Sequence, residues 1–230
     1  SRSSALAAVV TVFGGSVPAD RADHRLEWLD DFAAAQWDFR RGGERDSIGQ
    51  SKLTSIQIDT VFAQAADLGL AARQIPSRRR YDTVIMTGGM VRAGIVKPRF
   101  VAELLESGLK CDHVLFLGGF RPFSHEEAAL ARALGIDAND EFGGMLAGME
   151  QAFAPLGVPE VIEEARETPH SSWRHLTWYR HGLPRLSVLA APSCDPDHRR
   201  ANSADTYRFW ATECRTTVER SVLQVTSPIY

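Results

Sequence analysis

Two pairs of glycines, each followed within a few residues by an arginine, form the part of the chain best suited to chemistry. Gly88-Gly89 precedes Arg92, and Gly118-Gly119 precedes Arg121. Paired glycines let the backbone approach a ligand closely and expose its N–H groups, and a guanidinium beside them attracts an anion. The same pairs also form plain tight turns after buried strands. The pattern therefore leaves an anion-binding edge and a purely structural turn both open.

Apolar runs precede both glycine pairs and would position them. Thr83–Thr87 and Val114–Leu117 have the composition of buried strands, and Pro98–Glu106 between them is helix-like. This order predicts a βαβ unit with two parallel strands. Ligands of open parallel sheets bind at the carboxyl ends of the strands, where both glycine turns fall. The sequence thus predicts one ligand-binding edge.

The rest of the chain is predicted to complete an α/β fold. Ala7–Phe13 ends in Gly14-Gly15 and is interpreted as a third central strand. Residues 16–80 contain two stretches with helical spacing, which predict a mostly helical insertion or lid. Pro159–Arg166 is predicted to be a helix, and residues 175–190 an antiparallel hairpin. We expect residues 1–230 to form a single α/β domain, a Rossmann-like three-layer sandwich with a mainly parallel sheet.

Polar residues at the predicted strand ends and helix starts indicate which groups would meet a ligand. Arginine side chains and backbone N–H groups suit phosphate, and Asn202 and Asp205 suit sugar hydroxyls. His125 or Glu126 could act as a general base or acid. Asp205 also suits the first turn of a helix, and Ser124 has capping-box spacing. The candidate binding residues are Gly14, Gly15, Thr87, Gly88, Gly89, Arg92, Gly118, Gly119, Arg121, Ser124, Arg200, Asn202, Ser203, Asp205, Thr226 and Ser227.

Composition excludes several classes of function. The net charge of −3 gives no reason to expect a nucleic-acid partner, and no apolar run reaches membrane-spanning length. Three widely spaced cysteines indicate neither a disulfide framework nor a zinc site, which favours a reducing, cytoplasmic location. No metal-ligand spacing, nucleophile elbow, Walker loop or dinucleotide fingerprint occurs. What remains is a small-molecule substrate with a phosphate or nucleotide part.

The order of these motifs resembles the YdcF/SanA/ElyC family, a domain of unknown function. The resemblance covers roughly Asp82–Ser227 and depends on an ordered set of short motifs: Thr87-Gly88-Gly89, Arg99-Phe100, Gly118-Gly119, Ser124 with Glu126-Glu127-Ala128, Arg200–Asp205 and Val225-Thr226-Ser227. It implies a Rossmann-like fold, a link to envelope biology and a nucleotide-type ligand such as S-adenosylmethionine. The chain departs from the family's usual Asn-Thr-x-Glu-Asn, since residues 202–206 are Asn-Ser-Ala-Asp-Thr. It also has Pro-Ile-Tyr at 228–230, where many members carry an aromatic-His-x-x-Arg run.

These observations lead to one main hypothesis and two alternatives. The main hypothesis is a group transferase that moves a glycosyl or methyl group from a nucleotide-type donor, with a nucleotide-sugar or S-adenosylmethionine as the candidate ligand. The first alternative is a phosphoester hydrolase in which His125 or Glu126 activates water. The second is a non-catalytic binder of a nucleotide ligand, acting as an envelope regulator.

Overall fold

The computed structural model describes residues 1–39, 52–71, 73–215 and 219–226. The chain divides into two compact units, one within residues 1–75 and the other within residues 76–227. The first unit is helical and the second is α/β. No helix of the described residues is long and apolar enough to cross a membrane.

Within residues 1–39, 52–71 and 73–75, the helical unit contains three helices, α1 (Arg2–Val12), α2 (Ala22–Gln36) and α3 (Ser55–Ala65). The side chain of Ser1 caps α1, and a full capping box starts α3. Helical spacing in this region thus predicted α2 and α3. Whether the unit works as a lid stays a prediction.

The predicted strand at Ala7–Phe13 is wrong, because these residues lie in α1 and its C-cap. A short continuous apolar run does not distinguish a strand from a helix, and alanine favours the helix. Gly14 has φ +84° and ends α1, with the Gly15 N–H bonded to the Val10 carbonyl. The glycine pair is therefore a helix C-cap and not a strand-end turn.

The α/β unit contains a six-stranded sheet, which confirms the α/β prediction at that level. Its strands are β1 (Arg80–Thr87), β2 (Lys110–Gly118), β3 (Glu160–Glu164), β4 (Trp173–Trp178), β5 (Arg185–Ala190) and β6 (Val222–Val225), in the order β3-β4-β5-β2-β1-β6. The four strands β5, β2, β1 and β6 run parallel, whereas β3 and β4 are antiparallel additions.

The β4–β5 hairpin confirms one prediction and β3 contradicts another. The helix predicted at Pro159–Arg166 is wrong, because Glu160–Glu164 pairs with β4 as an edge strand. The β-branched pair Val161-Ile162 favours the strand, and pairing with β4 outweighs the weak helical preference of the glutamates.

Helices cover both faces of this sheet. The helices are α4 (Val91–Glu106), α5 (His125–Ala133), α6 (Glu141–Phe153) and α7 (Ser203–Phe209), the last continuing into a π-helical turn at Trp210–Cys214. Side chains of α4 and α6 pack with one face of the sheet, including Val84 and Phe116. Trp210 packs with the opposite face, against Ile85 and Leu115. The sheet core is therefore buried on both sides, as a central parallel sheet requires.

Glycines let α4 and α6 pack backbone to backbone. A Cβ on Gly148 would lie 2.8 Å from the carbonyl carbon of Gly94 and closer still to its oxygen, and a Cβ on Gly94 would lie 3.1 Å from the Gly144 oxygen. Backbone atoms cannot move aside as a flexible side chain can. This close contact sets the position of α6, whose first residue, Glu141, lies beside Gly88 and Gly118.

Replacing Gly148 with alanine is expected to lower the free energy of unfolding by about 3 kcal/mol. The methyl group must separate α4 from α6, and this exceeds the roughly 1 kcal/mol that alanine gains in helix propensity. Urea unfolding followed by circular dichroism measures the change. Gly119→Ala is the control, because its methyl would meet nothing closer than 3.4 Å. Equal stability of the two variants would contradict the close contact.

Candidate functional site

The two glycine turns of the α/β unit meet at one edge of the sheet, as predicted. Thr87 at the end of β1 pairs in register with Leu117 of β2. The Gly88 N–H then donates to the Leu117 carbonyl at 2.7 Å. A Cβ on Gly88 would lie only 3.3 Å from the Cα of Gly118. The carboxyl ends of the two central strands are therefore in direct contact.

The carboxylate of Glu141 lies between these two turns. A Cβ on Gly118 would sit 2.6 Å from its Oε1, and a Cβ on Gly88 would sit 2.8 Å from its Cδ. Only glycine fits at either position while the carboxylate is there. Glu141 is the first residue of α6, and Asp140 caps that helix by accepting from the Gly143 N–H at 2.8 Å. The helix start thus delivers a carboxylate to the edge of the sheet.

Arg121 holds Glu141 in place from the second glycine turn. Its Nε donates to Glu141 at 3.0 Å, and its two terminal nitrogens donate to Glu127 at 2.6 and 2.8 Å. One of them also donates to the Gly89 carbonyl at 3.0 Å. Glu127 is itself fixed, since it completes the capping box of α5 with Ser124. Because every nitrogen of the guanidinium already has a protein acceptor, the geometry gives Arg121 a positioning role.

Burial dominates the protonation of Glu141. Its side chain is 11% exposed. Desolvation raises the pKa of this carboxyl, while Arg121, Arg200 and the Gly119 N–H act in the opposite direction. A carboxyl whose environment favours the neutral form, yet which keeps cations nearby, is suited to accept and return a proton.

The carbonyl oxygens of the first glycine turn point to cations. Lys97, which is 4% exposed, donates to the Thr87 carbonyl at 2.6 Å and to the Gly88 carbonyl at 3.3 Å. Arg121 takes the Gly89 carbonyl. In each peptide unit the N–H points away from the C=O. Because the Gly88 and Gly89 carbonyls face Lys97 and Arg121, the N–H groups of Gly89 and Met90 point away from these two cations.

The start of α4 is an open group of hydrogen-bond donors. Within the described residues, the Gly89 and Met90 N–H groups have no acceptor, and no side chain caps the helix. The first turn of α4 contains no acidic residue, and Arg92 there is exposed. Unpaired N–H groups, a helix N-terminus and a guanidinium together favour an anion at this position.

The segment that carries Arg200 and Asn202 also comes to this edge. A Cβ on Gly119 would lie 3.4 Å from the Ala201 side chain, and Arg200 acts electrostatically on Glu141. Asn202 and Asp205 form a capping box at the start of α7. Arg199 binds the Asp205 carboxylate through two nitrogens, which holds the pKa of that carboxyl well below its usual range. The structure therefore uses Asp205 for capping and ion pairing.

The remaining predicted residues differ in their surroundings. Ser124 caps α5, and His125 and Glu126 in the first turn of that helix are exposed. Ser203 and Thr226 are exposed too, and Thr226 follows β6 beside the end of β1. Ser227 lies outside the described residues. Gly14 and Gly15 belong to the helical unit.

Open clefts occur elsewhere in the α/β unit. One of about 780 Å³ lies at the opposite end of the sheet, where β2 and β5 begin, and is lined by residues such as Lys110, Arg180 and Arg185. Within the described residues, no group of three or more His, Cys, Asp or Glu side chains could hold a metal ion. At the carboxyl edge, Glu141 itself fills the space between the glycine turns.

Sequence reasoning missed Glu141 and the position of Lys97. Glu141 directly follows a capping Asp140 and starts a helix with three glycines, Gly143, Gly144 and Gly148. Three glycines in one helix fit either a weak helix or a closely packed one, and the residue leading such a helix could have been named as a candidate. Nothing in the sequence indicates that Lys97, in the second turn of α4, bonds backward to the end of β1.

Comparison with known proteins gives relatives without a stated activity. A sequence model of the family described as "Rv3785 N-terminal domain" matches residues 1–69. Uncharacterized proteins of Mycobacterium tuberculosis (strain H37Rv) and Mycobacterium bovis are each 29% identical over 233 residues, which cover 90% of this chain. The chain spans 64% of the length of these relatives. No solved structure matches. The resemblance of Asp82–Ser227 to the YdcF/SanA/ElyC family stays a prediction, and residues 1–69 are similar to an Rv3785 N-terminal domain.

Proposed function

We propose that the α/β unit is an enzyme that transfers a group from a phosphate-containing, nucleotide-type donor, with Glu141 as general base. The observation that carries this proposal is the Glu141 carboxylate between two glycine turns at the carboxyl edge of the sheet. Ligands of open parallel sheets bind at this edge. A buried carboxyl with a raised pKa suits proton transfer near neutral pH. We also propose that the fold of this unit is a Rossmann-like, three-layer sandwich.

The donor phosphate would bind at the start of α4. The Gly89 and Met90 N–H groups and the Arg92 guanidinium supply donors there, and the helix dipole adds to them. Arg200, which acts on Glu141 from the other side, brings a further positive charge to this edge. Fixed donors of this kind stabilise the negative charge that grows on a departing phosphate.

The proton would pass from the acceptor to Glu141. As an acceptor hydroxyl bonds to the transferred group, its proton moves to the carboxylate, and the bond between that group and the donor phosphate breaks. The phosphate leaves with the electron pair. Arg121 holds Glu141 in position throughout. A donor that leaves as a phosphate suits this anion-binding group, whereas S-adenosylmethionine brings none. Glycosyl transfer is therefore better supported than methyl transfer.

A thermal-shift panel of nucleotide-sugars, nucleoside diphosphates and S-adenosylmethionine tests the donor site. A ligand at 100 times its Kd adds about 2.7 kcal/mol to the free energy of unfolding. Arg92→Ala is expected to weaken binding of the phosphate ligands about 10- to 100-fold, the value of a charge-assisted hydrogen bond.

Arg99→Ala is the matched control, since Arg99 lies two turns further along α4 in an exposed pair with Glu103. It should bind like the wild type. If no phosphate ligand stabilises the protein, or if Arg92→Ala binds as tightly as Arg99→Ala, the donor site is not at this edge.

A phosphoester hydrolase is the second candidate. Water is smaller than an acceptor that carries a hydroxyl, so it needs less open space to reach the mostly buried Glu141 carboxylate. Phosphate released from a panel ligand without any acceptor would favour hydrolysis, whereas release that depends on an added sugar or alcohol would favour transfer. Ligand binding without any turnover would favour a non-catalytic binder.

A further inference from the structure

His113 on β2 is a buried histidine that three polar groups contact at once. Its Nδ1 lies 2.8 Å from a guanidinium nitrogen of Arg185 and 3.1 Å from Oε1 of Glu219. The same Arg185 nitrogen donates to Glu219 at 3.1 Å. On the other side of the ring, Nε2 lies 2.9 Å from Ser187 Oγ. His113 is 2% exposed and Glu219 is 4% exposed, so water competes little for these bonds.

The shorter contact of Nδ1 indicates where the ring carries its proton. A guanidinium only donates and a carboxylate only accepts, so Nδ1 cannot bond to both. The 2.8 Å contact favours an unprotonated Nδ1 that accepts from Arg185, and Glu219 then accepts from the same Arg185 nitrogen. The ring is then neutral, and its Nε2–H donates to Ser187. Ser187 can donate to Thr177 at 3.2 Å, and Thr177 to Nε2 of His175 at 3.3 Å. Both histidines are neutral in this arrangement.

Burial supports the neutral rings. Desolvation lowers the pKa of His113; the bond to Glu219 opposes this and Arg185 adds to it. Desolvation also lowers the pKa of His175 to about 4, with His113 and Arg185 acting in the same direction. A proton added to Nδ1 of His113 would displace the Arg185 donor and place two cations beside the single Glu219 carboxylate.

Two other elements face this cluster. From β1, Thr83 pairs in register with His113. From the π-helical turn, Cys214 lies within electrostatic range of Glu219 and Arg185, and burial raises the pKa of its thiol to about 11. The exposed Glu213 acts on the same thiol. Since Cys214 stays neutral at and below pH 7, acidification acts first on the imidazoles.

Glu219 stands directly before the edge strand β6. Arg215 donates to its backbone carbonyl at 3.0 Å. The next two residues, Arg220 and Ser221, donate their backbone N–H groups to the Asp82 carboxylate at 2.8 and 2.7 Å. β6 has four residues, and among the strands of the described chain it pairs only with β1. Its attachment therefore depends strongly on the contacts at its amino end.

We propose that His113, Arg185 and Glu219 form an acid-sensitive latch that holds the amino end of β6. In the closed latch the Arg185 donor occupies Nδ1 of His113 and excludes a proton from it. When the amino end of β6 opens, Glu219 and Arg185 separate from the ring, and Nδ1 takes a proton from water. Acid therefore favours the open state. Because β6 ends at Val225, which pairs with Met86 near the end of β1, opening alters the same edge that carries the glycine turns. The latch stands independently of the proposed transferase activity.

The sign of the pH dependence follows from proton binding. An open, solvated histidine binds a proton near its ordinary pKa of about 6.5, whereas the closed latch resists it. Acidification below pH 6.5 therefore favours opening, and the closed state is fully favoured above it. Between pH 7.5 and pH 5.0, the opening equilibrium is expected to rise about 30-fold.

Hydrogen exchange read by mass spectrometry tests the latch. After correction for the intrinsic pH dependence of exchange, protection of Val222–Val225 should fall about 30-fold from pH 7.5 to 5.0, and protection of β2 should fall much less. His113→Asn keeps an acceptor for Arg185 but cannot be protonated, so it should lose this difference. His198→Asn, which changes an exposed histidine paired with Asp195, should keep it.

Two results would overturn the proposal. One is a pH-dependent loss of β6 protection that is the same in His113→Asn as in the wild type, or absent from the wild type. The other comes from wild-type protein alone: ¹⁵N spectra at pH 7.5 that place the His113 proton on Nδ1 instead of Nε2. The second measurement decides the question even if His113→Asn fails to fold.

Discussion

Replacing Arg121 with alanine is expected to lower the free energy of unfolding by about 3–5 kcal/mol, the cost of leaving a buried charge without its partner. Arg121 is the cation that two buried carboxylates share. Glu127 accepts two of its hydrogen bonds and Glu141 a third. The side chains of these glutamates are 6% and 11% exposed, so water cannot replace the guanidinium without opening the edge.

The loss should depend on pH in a defined direction. Burial already raises the pKa of the Glu141 carboxyl in the folded state, and without Arg121 the main opposing charge is gone. The folded variant then binds more protons than the unfolded chain, so its stability falls as the pH rises above about 4.5. The difference from the wild type should be small near pH 4 and reach its full size at pH 8. Urea unfolding at the two pH values measures it.

Arg99→Ala is the control, because its exposed pair with Glu103 should contribute less than about 0.5 kcal/mol. If Arg121→Ala loses no more stability than Arg99→Ala, the contacts of Arg121 with Glu127 and Glu141 contribute little to the free energy of unfolding. A loss independent of pH would mean that packing, and not charge, is what Arg121 provides.

The sequence was informative where local pattern and global fold agree. Apolar runs ending in Gly88-Gly89 and Gly118-Gly119 predicted two parallel strands and their common edge, because a βαβ unit permits few other arrangements. The capping-box spacing of Ser124 predicted a helix start, since its side chain acts on the first turn of its own helix. These patterns depend on residues close together in the sequence, so they can be interpreted without knowledge of the tertiary structure.

The sequence misled where one local pattern fits two structures. Ala7–Phe13 followed by Gly14-Gly15 suits a strand with a turn as well as a helix with a glycine C-cap. Glu160–Glu164 becomes a strand through pairing with β4, which its own residues do not specify. The prediction for Arg121 did not include its carboxylate partners, for a related reason. An arginine after a glycine turn suits a bound phosphate, but it also suits carboxylates from distant parts of the chain.

The candidate base shows the same limit most clearly. Glu141 reaches the edge because glycines on α6 let that helix approach α4, and because Gly88 and Gly118 leave room for its carboxylate. Three segments separated along the chain must be placed before the residue stands out. His125 and Glu126 were the sequence-based candidates for the same role, and that role stays a prediction for them.

Replacing Glu141 with glutamine is expected to lower kcat about 10²- to 10⁴-fold, the usual contribution of a positioned general base. An amide keeps the size of the carboxylate and can still accept from Arg121, but it cannot take a proton. Binding of the phosphate donor at α4 should therefore be nearly unchanged. The measurement is turnover of the donor identified by the thermal-shift panel, with its Kd determined on the same samples. Glu126→Gln, which changes an exposed carboxylate of α5, is the matched control.

A second pair of variants separates the charge from its position. Gly88→Ala leaves Glu141 intact but fills the space its carboxylate occupies, so it should lose activity almost as Glu141→Gln does. The displaced carboxylate is paired with Arg121, and the Gly118 Cα lies 3.3 Å from the new methyl, so stability should fall as well. Circular dichroism checks that the variant is folded at the assay temperature. Gly119→Ala, with no contact closer than 3.4 Å, should stay active. If Glu141→Gln turns over at the wild-type rate while Glu126→Gln does not, the base lies on α5 and the carboxylate between the glycine turns is structural.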